Sequence, residues 1–267
     1  MTGGDVLAYR VDGEGEPVLL LNGGYMSIAS WEPIAAPLAE RYRVLRCDFR
    51  GQLRSPGRTH PDLAGHVVDL VKMLDGLQIE RAHVVATSFG AEVGLLLAAL
   101  HPGRVSSLVA ATATDVIPPQ LQLGGGAVGR ELLSAAAGGP RERLLEEMQE
   151  AFYSPGYVAA HREELAGRAA QVALLPDWWF AGAAELLTSL EHLDLRGHLG
   201  AITCPVLVLA AGEDRVMPLE RARALAAAIP SARLEVIAGS GHALVVEKPE
   251  RFVRSCLDFL ESAHGYG

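Results

Sequence analysis

The stretch Ala86–Gly90, with the sequence ATSFG, decides the fold of this chain. It follows a β-branched pair, Val84 and Val85, and it opens an apolar segment that is rich in alanine and leucine. This pattern predicts a serine on a tight turn between a strand and a helix, where only small neighbours fit. Such a turn pushes the Ser88 hydroxyl out over the edge of a sheet.

Length and composition bound the class of protein. The 267 residues are 49% hydrophobic, so the chain can bury a large core. The net charge is −9 and Lys and Arg form no block, which argues against nucleic acid and anionic membranes as partners. Met1–Arg10 lacks a signal pattern and no apolar run approaches a membrane span, so we expect a soluble cytoplasmic protein. The three cysteines are too few and too scattered for a disulfide framework or a zinc site.

Strand and helix patterns alternate along most of the chain. The predicted strands are Val6–Val11, Pro17–Leu21, Tyr42–Cys47, Ala82–Ala86, Val105–Thr112, Pro205–Ala211 and Arg233–Ala238. The predicted helices are Ser27–Arg41, Ala64–Leu77, Phe89–Leu100, Leu219–Ile229 and Pro249–Ser262. The alternation predicts an α/β fold, in which a mostly parallel sheet is covered by helices on both faces.

One interval breaks this alternation. From about Val116 to Leu195 the pattern is helical and rich in alanine, and it contains the glycine triplet Gly124–Gly126. We therefore predict a single domain with a core at residues 1–115 and 196–267 and a helical cap at residues 116–195. The cap is expected over the carboxyl edge of the sheet, where open α/β sheets place their sites. The triplet would allow the cap to hinge.

Two later loops carry the residue types that a reactive serine needs. Gly212–Pro218 (GEDRVMP) follows one predicted strand and contains Asp214, and Gly239–His242 (GSGH) follows the last predicted strand. A serine hydroxyl is a poor nucleophile near neutral pH, so a histidine must accept its proton. A carboxylate would hold that imidazole in the right tautomer. The chain order Ser, Asp, His is the one expected for a serine on such a turn.

Taken together, these segments resemble the α/β-hydrolase family over nearly the whole chain. The family's nucleophile corresponds to Ser88, with Ala86 in place of the first glycine of the motif, and its acid and histidine correspond to Asp214 and His242. The resemblance implies a hydrolase with these three residues as its catalytic groups. Among close patterns, the chain is similar to 3-oxoadipate enol-lactonases and small capped esterases.

The resemblance also implies an oxyanion hole. The amide of Phe89, directly after the nucleophile, is one expected donor, assisted by the helix that it starts. The second is expected from Gly24, in the stretch Asn22–Met26 (NGGYM) after the strand Pro17–Leu21. Asn22 stands where the family often carries a histidine.

Two acidic residues remain alternatives to Asp214. Asp115 lies just past the strand Val105–Thr112, where some relatives place their acid, and Glu213 is adjacent to Asp214. We favour Asp214 because of its Gly-x-Asp-x-x-x-Pro context. Glu92, in the first turn after the serine, is interpreted as a complement to the helix dipole.

The aromatic clusters of the predicted cap are Trp178–Phe180 and Phe152–Tyr153. They either pack the cap onto the core or line an apolar pocket. No arginine stands out near the predicted loops as a clamp for a substrate carboxylate. The predicted pocket residues are Tyr25, Trp179, Val216 and Leu244.

These features predict hydrolysis of a small, mostly apolar ester or lactone through an acyl-enzyme on Ser88. Acyl transfer from a thioester or acyl-carrier donor, cofactor-free haloperoxidase or perhydrolase chemistry, and ligand binding without catalysis remain alternatives, since one fold hosts many functions. The partner implied is a small-molecule substrate, and no metal or organic cofactor is implied. The oligomeric state stays open, with a homodimer among the possibilities.

Overall fold

The computed structural model describes residues 7–117 and 127–263. The glycine triplet Gly124–Gly126, to which we assigned a hinge, lies outside the described residues, as does Val6 at the start of the first predicted strand.

The described residues form one seven-stranded sheet in the order β1-β3-β2-β4-β5-β6-β7. The strands are β1 (Tyr9–Asp12), β2 (Pro17–Leu21), β3 (Arg43–Cys47), β4 (Ala82–Thr87), β5 (Val105–Ala111), β6 (Val206–Ala211) and β7 (Ala232–Ile237). Only the β1–β3 pairing is antiparallel among the six pairings of these strands. The expected α/β fold with a mostly parallel sheet is confirmed.

Helices follow most of the strands. They are α1 (Glu32–Ala39), α2 (Leu63–Gly76), α3 (Phe89–Leu100), α4 (Ala127–Ala136), α5 (Glu142–Phe152), α6 (Pro155–Ala160), α7 (Arg162–Ala173), α8 (Asp177–Leu190), α9 (Leu219–Ala228), α10 (Leu244–Glu247) and α11 (Pro249–Ala263). The helix predicted over Ser27–Arg41 is in fact a 3-10 turn, Ile28–Trp31, followed by α1. Pro33 explains where α1 begins, because proline is accommodated in the first turn of a helix. In residues 7–117 and 127–263, every helix falls short of what a bilayer crossing demands.

Both faces of the sheet are buried. Side chains alternate along β4, so Val84 and Ala86 pack with α2, α3 and α9, whereas Val85 packs with α1 and α11. A parallel sheet that is covered on both faces needs continuous apolar strands, and all six residues of β4 are buried. The core therefore explains the β-branched run before Ser88.

The strand order reverses at β2, since the chain passes from β2 to β3 on one side and then to β4 on the other. Loops that leave the carboxyl ends of strands meet at such a switch point. The backbones of α3 and β2 approach closely here, because a Cβ placed on Gly90 would lie 2.5 Å from the carbonyl oxygen of Leu21. The start of α3 and the end of β2 thus frame one crevice.

The helices α4–α8, which we call the cap helices, lie between β5 and β6 in the chain. Their shared core includes Leu132, Leu144 and Phe180, and Tyr25 from the loop after β2 packs against it. Val116 and Asp194, near the two ends of this insertion, form an isolated antiparallel bridge. The cap helices therefore enclose one side of the crevice.

Candidate active site

Ser88 is the single residue between β4 and α3, and its backbone conformation is strained. Its φ of 50° and ψ of −128° are rarely adopted by residues other than glycine and cost on the order of 1–3 kcal/mol. Three backbone bonds hold it there: its N–H donates to Ala111 at 2.9 Å, and its carbonyl accepts from Ala91 at 2.6 Å and from Glu92 at 3.2 Å. The side chain is partly exposed, so the hydroxyl can be reached.

His242 and Asp214 complete a hydrogen-bonded series with this serine. The Nε2 atom of His242 lies 2.9 Å from Oγ of Ser88, and its Nδ1 atom lies 3.0 Å from Oδ2 of Asp214. The His242 side chain is 10% exposed and that of Asp214 is 1% exposed. A carboxylate only accepts, so Nδ1 carries the proton and Nε2 is left to accept the Ser88 hydroxyl proton.

The loop after β6 fixes the carboxylate. The amides of Val216 and Met217 both donate to Oδ1 of Asp214, at 2.9 and 2.8 Å. Asp115, the alternative acid, instead accepts from Arg221 at 2.8 Å, and Glu213 is exposed. The structure therefore brings Asp214 to His242 and directs the other two acids elsewhere.

A buried polar network supports the loop after β2, and sequence reasoning missed it. The Asn22 amide donates to Asp48 at 3.0 Å and to Gln52 at 2.9 Å, while its oxygen accepts from the Trp31 indole at 2.7 Å. Burial raises the pKa of Asp48, although several donors to its oxygens oppose the shift. Asn22 thus takes a structural role at the position of the family's histidine.

Gln52 also sets the direction of the Gly23–Gly24 peptide. Its Nε2 donates to the carbonyl of Gly23 at 2.8 Å. In a trans peptide the carbonyl and the next N–H point in opposite directions, so the Gly24 amide is turned away from Gln52. A Cβ on Gly24 would lie 4.0 Å from Cβ of Phe89, so the two residues that carry the expected oxyanion donors are neighbours. Phe89 begins α3, so its amide has no partner inside the helix.

The surroundings of Glu92 differ from those expected for an acid that complements the helix dipole. This residue lies one turn after Ser88 and is fully buried, with Oε1 accepting from the Thr114 amide at 3.0 Å. Its other oxygen has no hydrogen-bond partner among the described residues. Burial raises its pKa to about 8, and the negative charge of Asp214 adds to the shift. Glu92 is therefore mostly protonated at neutral pH and does not supply the negative charge that we assigned to the start of α3.

A cavity of about 970 Å³ opens over Ser88 and His242, beneath the cap helices. Tyr25, Trp179 and Val216 line this cavity. Burial raises the pKa of Tyr25, so its phenol stays protonated. The two predicted aromatic clusters serve both of the expected roles. Phe152, Tyr153 and Trp179 line the cavity, whereas Phe180 is buried in the core of the cap helices.

The prediction for Leu244 was wrong. Its side chain is fully buried in the core cluster that includes Phe252, while Ala243 and Val245 on either side face the cavity. Leu244 begins the short helix α10, and one turn of helix points neighbouring side chains in different directions.

Charged side chains lie at the rim of the cavity, and sequence reasoning did not assign them to the pocket. The charged residues among its described lining, besides His242, are Glu147, Glu164, Arg168 and Arg215. Arg168 donates to Glu164 at 2.7 Å. These residues bring two charges of each sign, so the rim has no excess of either.

The fold and this site together define a class of protein. A family model described as "alpha/beta hydrolase fold" matches residues 16–249. The chain belongs to the alpha/beta hydrolase fold family, and it is a hydrolase of that fold.

Individual relatives agree with this family. The protein named "Putative carbamate hydrolase RutD" of Variovorax paradoxus (strain S110) is 34% identical, covering 95% of this chain and 96% of its own. The crystal structure of MGS-M2, an alpha/beta hydrolase enzyme from a deep-sea metagenome library, superposes with a TM-score of 0.89 at 25% identity, covering 96% of this chain and 94% of that one. The enol-lactonase from Burkholderia xenovorans LB400 gives a TM-score of 0.85 at 26% identity and covers 96% of both chains.

Proposed function

We propose that this protein is a serine hydrolase that cleaves a small, mostly apolar carboxylic ester or lactone through an acyl-enzyme on Ser88. One observation carries the proposal: the 2.9 Å contact between Oγ of Ser88 and Nε2 of His242, with Asp214 behind the imidazole. A nucleophile, a base and a residue that orients the base are the parts that acyl transfer through serine requires.

In the acylation step, His242 takes the hydroxyl proton as Oγ of Ser88 attacks the substrate carbonyl carbon. The bond to Asp214 stabilises the imidazolium that forms. The negative charge that develops on the carbonyl oxygen is met by the amides of Gly24 and Phe89. Collapse of this intermediate breaks the bond to the leaving oxygen, which takes the proton from His242, and leaves Ser88 acylated.

Deacylation repeats these roles with water in place of the serine. His242 accepts a proton from the water, which attacks the acyl carbon, and the proton then passes to Oγ of Ser88 as the acid leaves. A lactone follows the same steps and gives one hydroxy acid, because its leaving oxygen stays attached to the acyl chain.

The cavity supports a neutral, largely apolar substrate. Side chains such as Met148, Val172, Leu186 and Trp179 line it, and the charges at its rim cancel. Its volume of about 970 Å³ is at the upper end of the usual range for small-molecule sites, about 300–1,000 Å³. Space is therefore available for an acyl group or ring considerably larger than acetate.

A carbamate is the second candidate substrate, because the relative from Variovorax paradoxus is named for that activity. A carbamate also presents a carbonyl carbon with a leaving group, so Ser88 and His242 would act in the same way. The alkyl-lined cavity favours the ester or lactone over a small carbamate.

The test labels the wild-type protein and Ser88→Ala with a fluorophosphonate and reads the intact mass. One adduct on the wild type that is missing from the variant is expected. An ester, a lactone and a carbamate of similar size are then compared by kcat/KM. A folded wild type that takes no adduct, or a variant that hydrolyses the ester at the wild-type rate, would overturn the proposal.

A further inference from the structure

A buried glutamate joins the His242 loop to the cap helices. Glu247 is 7% exposed and lies five residues after His242, at the end of α10. Its Oε1 accepts from the amides of Gly241 and Ser154, both at 2.9 Å. Its Oε2 accepts from the Ser154 hydroxyl at 2.6 Å. One carboxylate therefore binds the residue before His242 and a residue of the insertion that is 93 positions away.

The residue after His242 is bound to the same part of the insertion. The Ala243 amide donates to the carbonyl of Phe152 at 2.8 Å. The ring of Phe152 also packs on the His242 imidazole, with 5.6 Å between centroids and a 41° tilt. We call Phe152–Ser154, the junction between α5 and α6, the cap strap. It contacts both neighbours of His242 and the imidazole itself.

The cap strap and the loop at residues 241–243 are in tight backbone contact. A Cβ on Gly241 would lie 2.6 Å from the Ser154 nitrogen and 2.8 Å from Oε1 of Glu247. Only glycine allows the two backbones to approach this closely. Since Gly241 directly precedes His242, a shift of the strap would be passed to the histidine backbone.

We propose that Glu247 is a positioning residue, which holds the cap strap against residues 241–243 so that His242 is aimed at Ser88. Three hydrogen bonds of 2.6 to 2.9 Å converge on this one side chain from the strap and the loop, so it can define their junction. Glu247 is outside the described lining of the cavity, so it acts through Gly241 and Ser154 and not on substrate. The inference rests on the proposed hydrolysis at Ser88.

Two substitutions distinguish the effect of the length of the Glu247 side chain from the effect of its charge. Glu247→Gln keeps the length of the side chain, and its oxygen can still accept from both amides while its nitrogen donates to the Ser154 hydroxyl. Glu247→Asp keeps the charge but shortens the side chain by one methylene, so it cannot span the strap and the loop. A positioning role predicts that the Gln variant stays active and the Asp variant does not. A role for the buried charge in stabilising the imidazolium predicts the reverse order.

The experiment measures kcat and KM on one ester and the rate of inactivation by a fluorophosphonate. We expect Glu247→Gln to stay within about threefold of the wild type. For Glu247→Asp we expect a fall in kcat of about 10- to 100-fold, typical of a misplaced catalytic group, with KM nearly unchanged. The inactivation rate should fall with kcat. Equal losses in both variants, a larger loss in the Gln variant, or an unchanged Asp variant would overturn the inference.

Matched controls distinguish positioning from general loss of stability. Asp69 is also buried and hydrogen-bonded, to Arg50 and His60, and it is not among the described lining residues. Asp69→Asn should lower the Tm while kcat stays within about twofold, as expected for a substitution away from the site. If Glu247→Asp does not fold, Ser154→Ala is the substitute, since it removes the hydroxyl bond to Oε2 of Glu247 and the N-cap bond from the Tyr157 amide, both on the strap side. A lower kcat with unchanged KM in that variant supports the inference, and an unchanged kcat overturns it.

Failure of this inference can be told from failure of the proposed function. A wild type that takes no adduct at Ser88 would overturn both. A wild type that labels at Ser88, with Glu247→Asp labelling at the same rate, would overturn the role of Glu247 alone.

Discussion

The Nε2 atom of His242 lies 2.9 Å from Oγ of Ser88, although 154 positions separate the two residues in the chain. Because no other base is bonded to this hydroxyl among the described residues, we expect His242→Ala to lower kcat by several powers of ten, as in other broken triads. The check is the initial rate of ester hydrolysis by the variant, together with its circular dichroism spectrum. A folded variant with a kcat near that of the wild type would contradict it.

Asp214 and Asp115 should differ sharply when each is replaced by asparagine. The amides of Val216 and Met217 should keep the remaining oxygen of Asp214→Asn, so an NH2 donor replaces the acceptor that faces Nδ1 of His242 and kcat should fall by about 10³- to 10⁴-fold. Asp115→Asn weakens a contact with Arg221 and should leave kcat within about threefold, as for most substitutions away from a site. Steady-state kinetics of the two variants compare them directly. A larger loss in Asp115→Asn would show that the wrong acid was chosen.

Glu92 should make the free energy of unfolding depend on pH. Its carboxyl has an ordinary pKa of 4.5 in the unfolded chain and a raised pKa of about 8 in the folded protein. Between these values the native state keeps a proton that the unfolded chain releases, so this group lowers stability as the pH rises from about 4.5 to about 8. Glu92→Gln removes this dependence.

Urea unfolding of wild type and Glu92→Gln across that range of pH measures the effect. The difference in free energy of unfolding should shift in favour of the variant by at most about 1.4 kcal/mol per pH unit and level off above about pH 8. Curves that stay parallel from about pH 5 to about pH 8 would show that Glu92 titrates normally.

Gln52 should matter to kcat without touching substrate. Gln52→Leu removes one of the two acceptors of the Asn22 amide and one of the two donors to the Gly23 carbonyl, at a cost of about 1–3 kcal/mol in folding free energy. Only the Met26 amide would then hold the Gly23 carbonyl, so the N–H of Gly24 would be aimed less accurately. We therefore expect kcat to fall by about 10- to 100-fold with KM close to the wild type. Ser255→Ala, which removes a buried hydroxyl on α11, is the control and should change only the Tm. A kcat for Gln52→Leu that matches the control would argue against this support of the loop.

The parts of the fold that depend on chain periodicity could be predicted from the sequence. The apolar run of β4 is fully buried and the alanine-rich α3 is buried up to its last two residues, which is why their bounds are close to those expected. Ser88, Asp214 and His242 could be found because each follows a strand, and the carboxyl ends of parallel strands meet at one edge of the sheet. The family and the mostly parallel sheet are confirmed, whereas the roles of these three residues remain predictions.

The parts that failed depend on contacts between distant segments. Leu244 lies in a helix of one turn, too short for periodicity to show which side faces the cavity. Glu92 looked like an ordinary acid in the first turn of a helix, but the Thr114 region packs over it and excludes water. Arg168 reaches the rim of the cavity only because the folded chain brings α7 alongside it. No local pattern encodes these positions.

The bridge between Val116 and Asp194 brings together the points where the chain leaves the sheet and returns to it. A segment whose ends already meet can be exchanged for another of different length without moving the strands. New substrate preferences could then be acquired by one contiguous replacement, since the loops that carry Ser88 and Asp214 belong to the sheet. His242 is the exception, because a transplanted segment would have to bring its own partner for Glu247.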